Sequence, residues 1–175
     1  MALRLWALQT LRNGNPSLSQ SYSLAQVLIL DNNVLTSLPS DLGACMRLEK
    51  LSIAHNGLTS LPSSWAGLAK LKSLDLSHNA LPALPAALAS CTALELLDVA
   101  ANQLQELPAE LAALCRLNTL NASSNAISAV PPAVLRECTA LQTLLLNGNP
   151  ITQEVEGSGA RDQRVRIGCA CRGQT

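Results

Sequence analysis

The residues able to do chemistry fall into three groups. Ser52, Ser77, Asp75 and His78 offer a hydroxyl, a carboxylate and an imidazole, the ingredients of an activated nucleophile. His55 and His78, and separately Cys169 and Cys171, offer metal ligands. Glu49, Lys72, Glu95 and Asp98 offer charge to a partner. Each chemistry makes its own demand on spacing. Three residues along an extended strand cover ~10 Å, too far for a proton to pass between Ser and His. A zinc site needs several converging ligands. Two histidines without a third ligand, and one C-x-C without a second cluster, do not supply them. The chain also has no Gly-rich phosphate loop. Neither a catalytic role nor a resident metal or cofactor is expected, which leaves binding through shape and charge.

Composition narrows the partner and the core. Of 175 residues, 48% are apolar, yet there is no Phe, one Tyr and two Trp. The core must therefore be aliphatic and mostly Leu, as suits a stack of thin similar layers. The 12 basic and 12 acidic side chains cancel, whereas nucleic-acid binding proteins carry a clustered basic excess. A nucleic-acid partner is disfavoured. No apolar run approaches the ~20 residues that span a bilayer. The N-terminal MALRLWALQTLR is broken by Gln9, Thr10 and Arg12 and lacks a small-residue cleavage site, so it is read as not secretory.

The elements that must position these residues recur. Asn33, Asn56, Asn79, Asn102, Asn125 and Asn149 are separated by 23, 23, 23, 23 and 24 residues. Around each the chain reads L-x-x-L-x-L-x-x-N-x-L-x-x-L-P-x-x-L. In one unit these are Leu71, Leu74, Leu76, Asn79, Leu81, Leu84, Pro85 and Leu88. The L-x-x-L-x-L part predicts a short strand, its leucines inward and stacked one rung (~4.8 Å) from their equivalents. No unit can bury its leucines alone, so neighbours must supply the core. The asparagine amide can donate and accept at once, which suits it to satisfy backbone groups in a buried turn. A Leu-Pro or Val-Pro step follows at Pro39, Pro62, Pro85, Pro108 and Pro131. Proline tolerates a first helical turn, and the stretches after it predict a turn or two of helix. Cys45 and Cys91 stand where Leu68 and Leu114 stand in other units, with Cys115 and Cys138 one position later. All four are read as structural thiols.

This pattern closely resembles the leucine-rich repeat over roughly residues 25–151. The fold expected is an α/β solenoid of about six repeats, with a curved parallel sheet on the concave side and short helical or irregular segments on the convex side. The 23-residue unit with LP-x-x-L is similar to the intracellular Ras-suppressor-type class. That resemblance implies a cytoplasmic, non-catalytic scaffold for a protein partner such as a small GTPase. A regulatory or targeting subunit of a phosphatase or ligase, or a protein of the cytoskeleton or ciliary axoneme, is the alternative. The sequon Asn121-Ala122-Ser123 lies on a strand and is read as accidental.

The expected boundaries are a degenerate segment 1–22, a repeat domain 23–152 and a polar Arg/Gly-rich, poorly ordered tail 153–175. With weak capping at both ends, the chain is read as a truncated or an imperfectly predicted family member. The positions between the leucines are expected to face solvent on the concave side. The candidate contacts are Glu49, Lys50, Ser52, Lys72, Asp75, Ser77, Glu95, Asp98, Asn121 and Ser123. Glu49, Lys72 and Glu95 alternate in sign along one row, as a stabilising cross-strand ladder would. Asp75 and Asp98 are like charges on adjacent rungs, unfavourable alone and able to receive a partner's Arg or Lys.

Overall fold

The computed structural model describes residues 24–65 and 67–151 and the backbone of 166–168. Six three-residue strands follow one another in parallel: β1 (Val27–Ile29), β2 (Lys50–Ser52), β3 (Ser73–Asp75), β4 (Leu96–Asp98), β5 (Thr119–Asn121) and β6 (Thr143–Leu145). Each central leucine sits beside its equivalent in the next repeat, Leu51 by Leu74, Leu74 by Leu97, Leu97 by Leu120, Leu120 by Leu144. All five are fully buried, as are Leu71, Leu94 and Leu117, the first leucines of the motif, three residues before Leu74, Leu97 and Leu120. The leucine spine expected from the sequence is thus formed, and it runs through every described repeat.

The 24-residue unit has a visible cause. The convex segments Ser40–Ala44, Ala86–Ser90 and Ala109–Ala113 are five-residue 3-10 turns, each capped by the preceding proline with φ between −65° and −71°. The last is a six-residue α-helix, α1 (Pro132–Glu137). The extra residue is absorbed there, so the sheet register is undisturbed. It also moves Cys138. The sequence reading paired Cys138 with Cys115; the structure sets Cys138 at the end of α1, in the column of Cys45, Cys91 and Leu114. Cys45, Cys91 and Cys138 are buried, while Cys115 faces solvent. Burial pushes the Cys91 and Cys138 thiols up to about 11, with Cys115 and Glu137 adding to the rise at Cys138. Such thiols stay protonated and unreactive at neutral pH.

The second repeat departs from its neighbours. Trp65 takes the core position held by Leu42, Leu88, Leu111 and Val134, is fully buried, and donates its indole N–H to the Pro62 carbonyl at 2.6 Å. Backbone must approach closely around it. A Cβ on Gly67 would run into the Gly43 carbonyl oxygen, and one on Gly43 into that of Ser64. Gly67→Ala is therefore expected to lower stability by about 1–3 kcal/mol. Gly57→Ala, whose Cβ would meet only ordinary contact at 3.6 Å, serves as the control; equal urea midpoints for the two variants would refute the crowding argument.

Every exit turn repeats two devices. The residue before the ladder asparagine has positive φ: Asn32 (57°), His55 (54°), His78 (55°), Ala101 (52°), Ser124 (55°) and Gly148 (73°). Asn and His tolerate this region better than most residues, and Gly freely. The asparagine then stitches layers together. Asn79 accepts from the Leu58 N–H at 3.0 Å and donates to Leu76, Ser77 and, one repeat back, Ile53 carbonyls. Asn56, Asn102 and Asn125 repeat the arrangement, and Asn149 makes most of it. Asn33 donates to Leu30 and Asp31 within its own turn.

Of the expected terminal segments, residues 1–22 lie outside the described residues, as does most of 153–175. Within the latter, the backbone of β7 (Arg166–Gly168) adds to the sheet in parallel with β6, Ile167 beside Leu144. That placement continues the 23-residue step, which the sequence reading did not extend past Asn149.

Candidate functional site: the open sheet face

The return segments cover one face of the sheet, and the other is open. Along the row between the second and third leucines stand Ile29, Ser52, Asp75, Asp98, Asn121 and Leu145. Asp75 and Asp98 are register partners across β3 and β4, as their spacing predicted. One oxygen of Asp75 and both oxygens of Asp98 are committed to their own chain. Asp75 Oδ1 accepts from the Ser77 N–H at 2.9 Å and the Ser77 hydroxyl at 2.7 Å. Asp98 Oδ1 accepts from the Ala100 N–H at 3.0 Å, and its Oδ2 from the Asn121 amide at 2.9 Å. Asn121 Oδ1 in turn accepts from the Ser123 N–H at 3.2 Å. These side chains cap the end of the strand, and this fixes their direction at the surface.

The serines are placed differently from expectation. Ser52 and Ser77 were expected to face solvent, yet they are only 5% and 9% exposed. The Ser52 hydroxyl donates to Asp31 Oδ1 at 2.7 Å, and the Ala54 N–H joins it there at 2.8 Å. Their hydroxyls are spent on neighbouring carboxylates, so what they offer a partner is shape. Asp31 belongs to the same outward row as Ser77 and Ser123. Its signal was readable, since it stands two residues past Ile29, at the strand position of Ser77.

Nearer the strand starts runs the charged row. Lys72 Nζ lies 2.8 Å from Glu49 Oε2 in an exposed pair. The Lys72 ammonium holds the Glu49 carboxyl below its usual range, and Glu49 followed by Glu95 raises Lys72. Of the alternating row expected from the sequence, the Glu49–Lys72 pair is formed, and water and salt screen it strongly. Lys50 stands exposed on β2, and Leu96 is 40% exposed beside it two rungs on. On the convex side a recess of about 390 Å3 lies between 105–107 and 128–132, away from these groups. Among the described residues no three His, Cys, Asp or Glu side chains converge to hold a metal. No described helix is long and apolar enough to cross a membrane.

Stacked parallel strands, an asparagine ladder and one uncovered sheet face define a repeat solenoid. The leucine rich repeat family model matches residues 23–81, 46–104 and 92–151; the chain belongs to the leucine-rich-repeat family. Solved structures agree. A leucine-rich-repeat protein of Leptospira interrogans is 32% identical over 74% of this chain and 33% of its own, with a TM-score of 0.72. The plant peptide hormone receptor RGFR1, in complex with RGF2, is 31% identical over 71% of this chain and 20% of its own, TM-score 0.65. The Arabidopsis receptor kinase HAESA, in complex with the peptide hormone IDA and the co-receptor SERK1, is 31% identical over 71% and 22%, TM-score 0.63. The chain thus spans a third or less of the length of these proteins. No curated protein gives a significant match.

Proposed function

We propose that this chain is a non-catalytic scaffold whose open sheet face binds an extended protein segment with a central Arg or Lys and apolar flanks. The observation that carries the reading is the row Ile29, Ser52, Asp75, Asp98, Asn121, Leu145. Its two central carboxylates lie side by side, and its ends are apolar. Five rungs of ~4.8 Å make the row about 24 Å long, the reach of roughly seven extended residues at ~3.4 Å each. A segment crossing the strands would place a cation over the Asp75–Asp98 pair and apolar side chains on Ile29 and Leu145. Glu49, Lys50, Lys72, Glu95 and Ser123 border that path. Two of the structural relatives hold peptide hormones, which supports a peptide-like ligand.

The 23-residue LP-x-x-L unit supports a cytoplasmic signalling setting with a small GTPase as the protein that carries the segment. The same unit is compatible with a targeting role toward a phosphatase or ligase, or a place on the cytoskeleton or axoneme. The test does not depend on that choice. A labelled heptapeptide with Arg at the centre and Leu at both ends is titrated into the full chain. Asp75→Asn with Asp98→Asn keeps an acceptor oxygen for each strand cap. It is expected to weaken binding about tenfold or more, since a charge-assisted hydrogen bond contributes about 1.5–3 kcal/mol. Equal affinity for wild type and variant, or for a peptide with Glu at the centre, would refute the reading.

A further inference from the structure

In an asparagine-glycine step the side-chain amide is readily lost, because glycine has no Cβ to shield the backbone nitrogen that attacks it. The chain has three such steps, Asn13-Gly14, Asn56-Gly57 and Asn147-Gly148, the first outside the described residues. The fold treats the other two differently. Asn56 belongs to the ladder. Its Oδ1 accepts from the Leu35 N–H at 3.0 Å, and its amide donates to the Leu30, Ile53 and Ala54 carbonyls at 3.0–3.2 Å. The Gly57 N–H is itself spent on the Leu35 carbonyl at 2.9 Å. Both groups that would have to react are thus held in the turn. Asn147 stands two positions earlier in the motif, ahead of the ladder residue Asn149. It is exposed, as is Gly148, whose φ is 73°.

We propose that Asn147-Gly148 is a spontaneous deamidation site of the folded chain, and that the ladder protects Asn56-Gly57 from the same chemistry. The step needs only water. The Gly148 backbone nitrogen gives its proton to solvent and attacks Asn147 Cγ. The N–Cγ bond forms, the Cγ–Nδ2 bond breaks, and ammonia leaves with a proton taken from water. The product is a five-membered succinimide. Water then opens the ring, at Cγ to give aspartate or at the main-chain carbonyl carbon to give isoaspartate. In isoaspartate the chain runs through Cγ and gains one methylene. The main-chain oxygen that accepts from the Ser124 N–H at 2.6 Å then belongs to a carboxylate. The residues that follow are displaced, among them Asn149, which accepts from the Ile127 N–H at 2.9 Å and donates to the Ala122 and Leu146 carbonyls at 2.8 and 3.0 Å. Conversion therefore loosens the sixth repeat from the fifth. It also sets a negative charge two residues past Leu145, at the apolar end of the open row.

The full chain is held folded at mildly alkaline pH, where the attacking nitrogen loses its proton more readily. Digestion at acidic pH and peptide mapping by mass spectrometry read, at each asparagine, the mass gain of an amide turned acid. A methyltransferase specific for isoaspartate tags that product within each peptide. Conversion at Asn147 should outrun that at Asn56 about tenfold or more, since Asn56 must open locally before it can react. In urea, where no ladder protects Asn56, the two rates should approach each other. Gly148→Ala should slow conversion at Asn147 and leave Asn56 unchanged. Alanine is accepted in this column, where Ala101 has φ of 52°, and the added Cβ would meet nothing closer than the Ser124 hydroxyl oxygen at 3.3 Å. Equal rates at the two sites in the folded chain, a difference that persists in urea, or an undiminished rate at Asn147 in the variant would overturn the proposal.

Discussion

Leu97→Ala should remove about 2–5 kcal/mol of folding free energy through lost transfer and an unfilled cavity. Leu97 is fully buried and lies between Leu74 and Leu120 on the neighbouring rungs. A hole there weakens two interfaces at once, and in a solenoid those interfaces are where stability resides. Set against a typical total of about 5–15 kcal/mol, the loss is large. Leu96→Ala, one residue earlier and 40% exposed on the open face, should change stability by no more than about 0.5 kcal/mol. The two variants have the same composition, so urea unfolding separates layer packing from simple hydrophobicity. A loss below about 1 kcal/mol at Leu97 would count against the shared core.

Asn102→Ala should cost about 2–4 kcal/mol, for a different reason. Asn102 is 9% exposed. Its Oδ1 accepts from the Leu81 N–H at 3.0 Å, and its amide donates to the Leu76, Val99 and Ala100 carbonyls at 3.0–3.2 Å. The carbonyls have some insurance: Leu76 also receives Asn79, and Val99 receives Asn125. Leu81 N–H has no such second acceptor in the ladder, and an unpaired buried donor accounts for most of the cost. Asn102→Asp discriminates further. The carboxylate can still accept from Leu81 but turns negative oxygen toward the Leu76 and Val99 carbonyls. Its folded pKa must then lie above the ordinary ~3.9. The folded state holds its proton more tightly than the unfolded state, so stability falls as pH rises through the raised value. The deficit should shrink as pH is lowered toward ~4. An Asp variant insensitive to pH, or an Ala variant as stable as wild type, would remove the ladder's assigned role.

The two predictions rest on different kinds of legibility. The leucines and the ladder asparagines could be placed from the sequence because each repeat solves the same problem in the same way. A period of 23 fixes which residues share a column, and columns of Leu must be core. Strand order and register followed, since consecutive repeats can bury their leucines only against each other. What faces the open side was legible as a roll of residues in rows, but not as a set of bonds. Ser52 and Ser77 look like ligand-facing polar residues in the string. In space their hydroxyls reach Asp31 and Asp75, a distance that depends on rotamers and on which turn each carboxylate caps.

The sequence by itself determined the architecture and the layer to which each Leu and Asn belongs. These follow from periodicity, which constrains many residues at once. Only the tertiary structure decided where the twenty-fourth residue of the last unit goes, why Trp65 requires Gly43 and Gly67, and that His55 and His78 stack face to face. Such features depend on side-chain volume and torsion across rungs that are neighbours in space while lying 23 residues apart along the chain, and a repeat pattern averages over that detail.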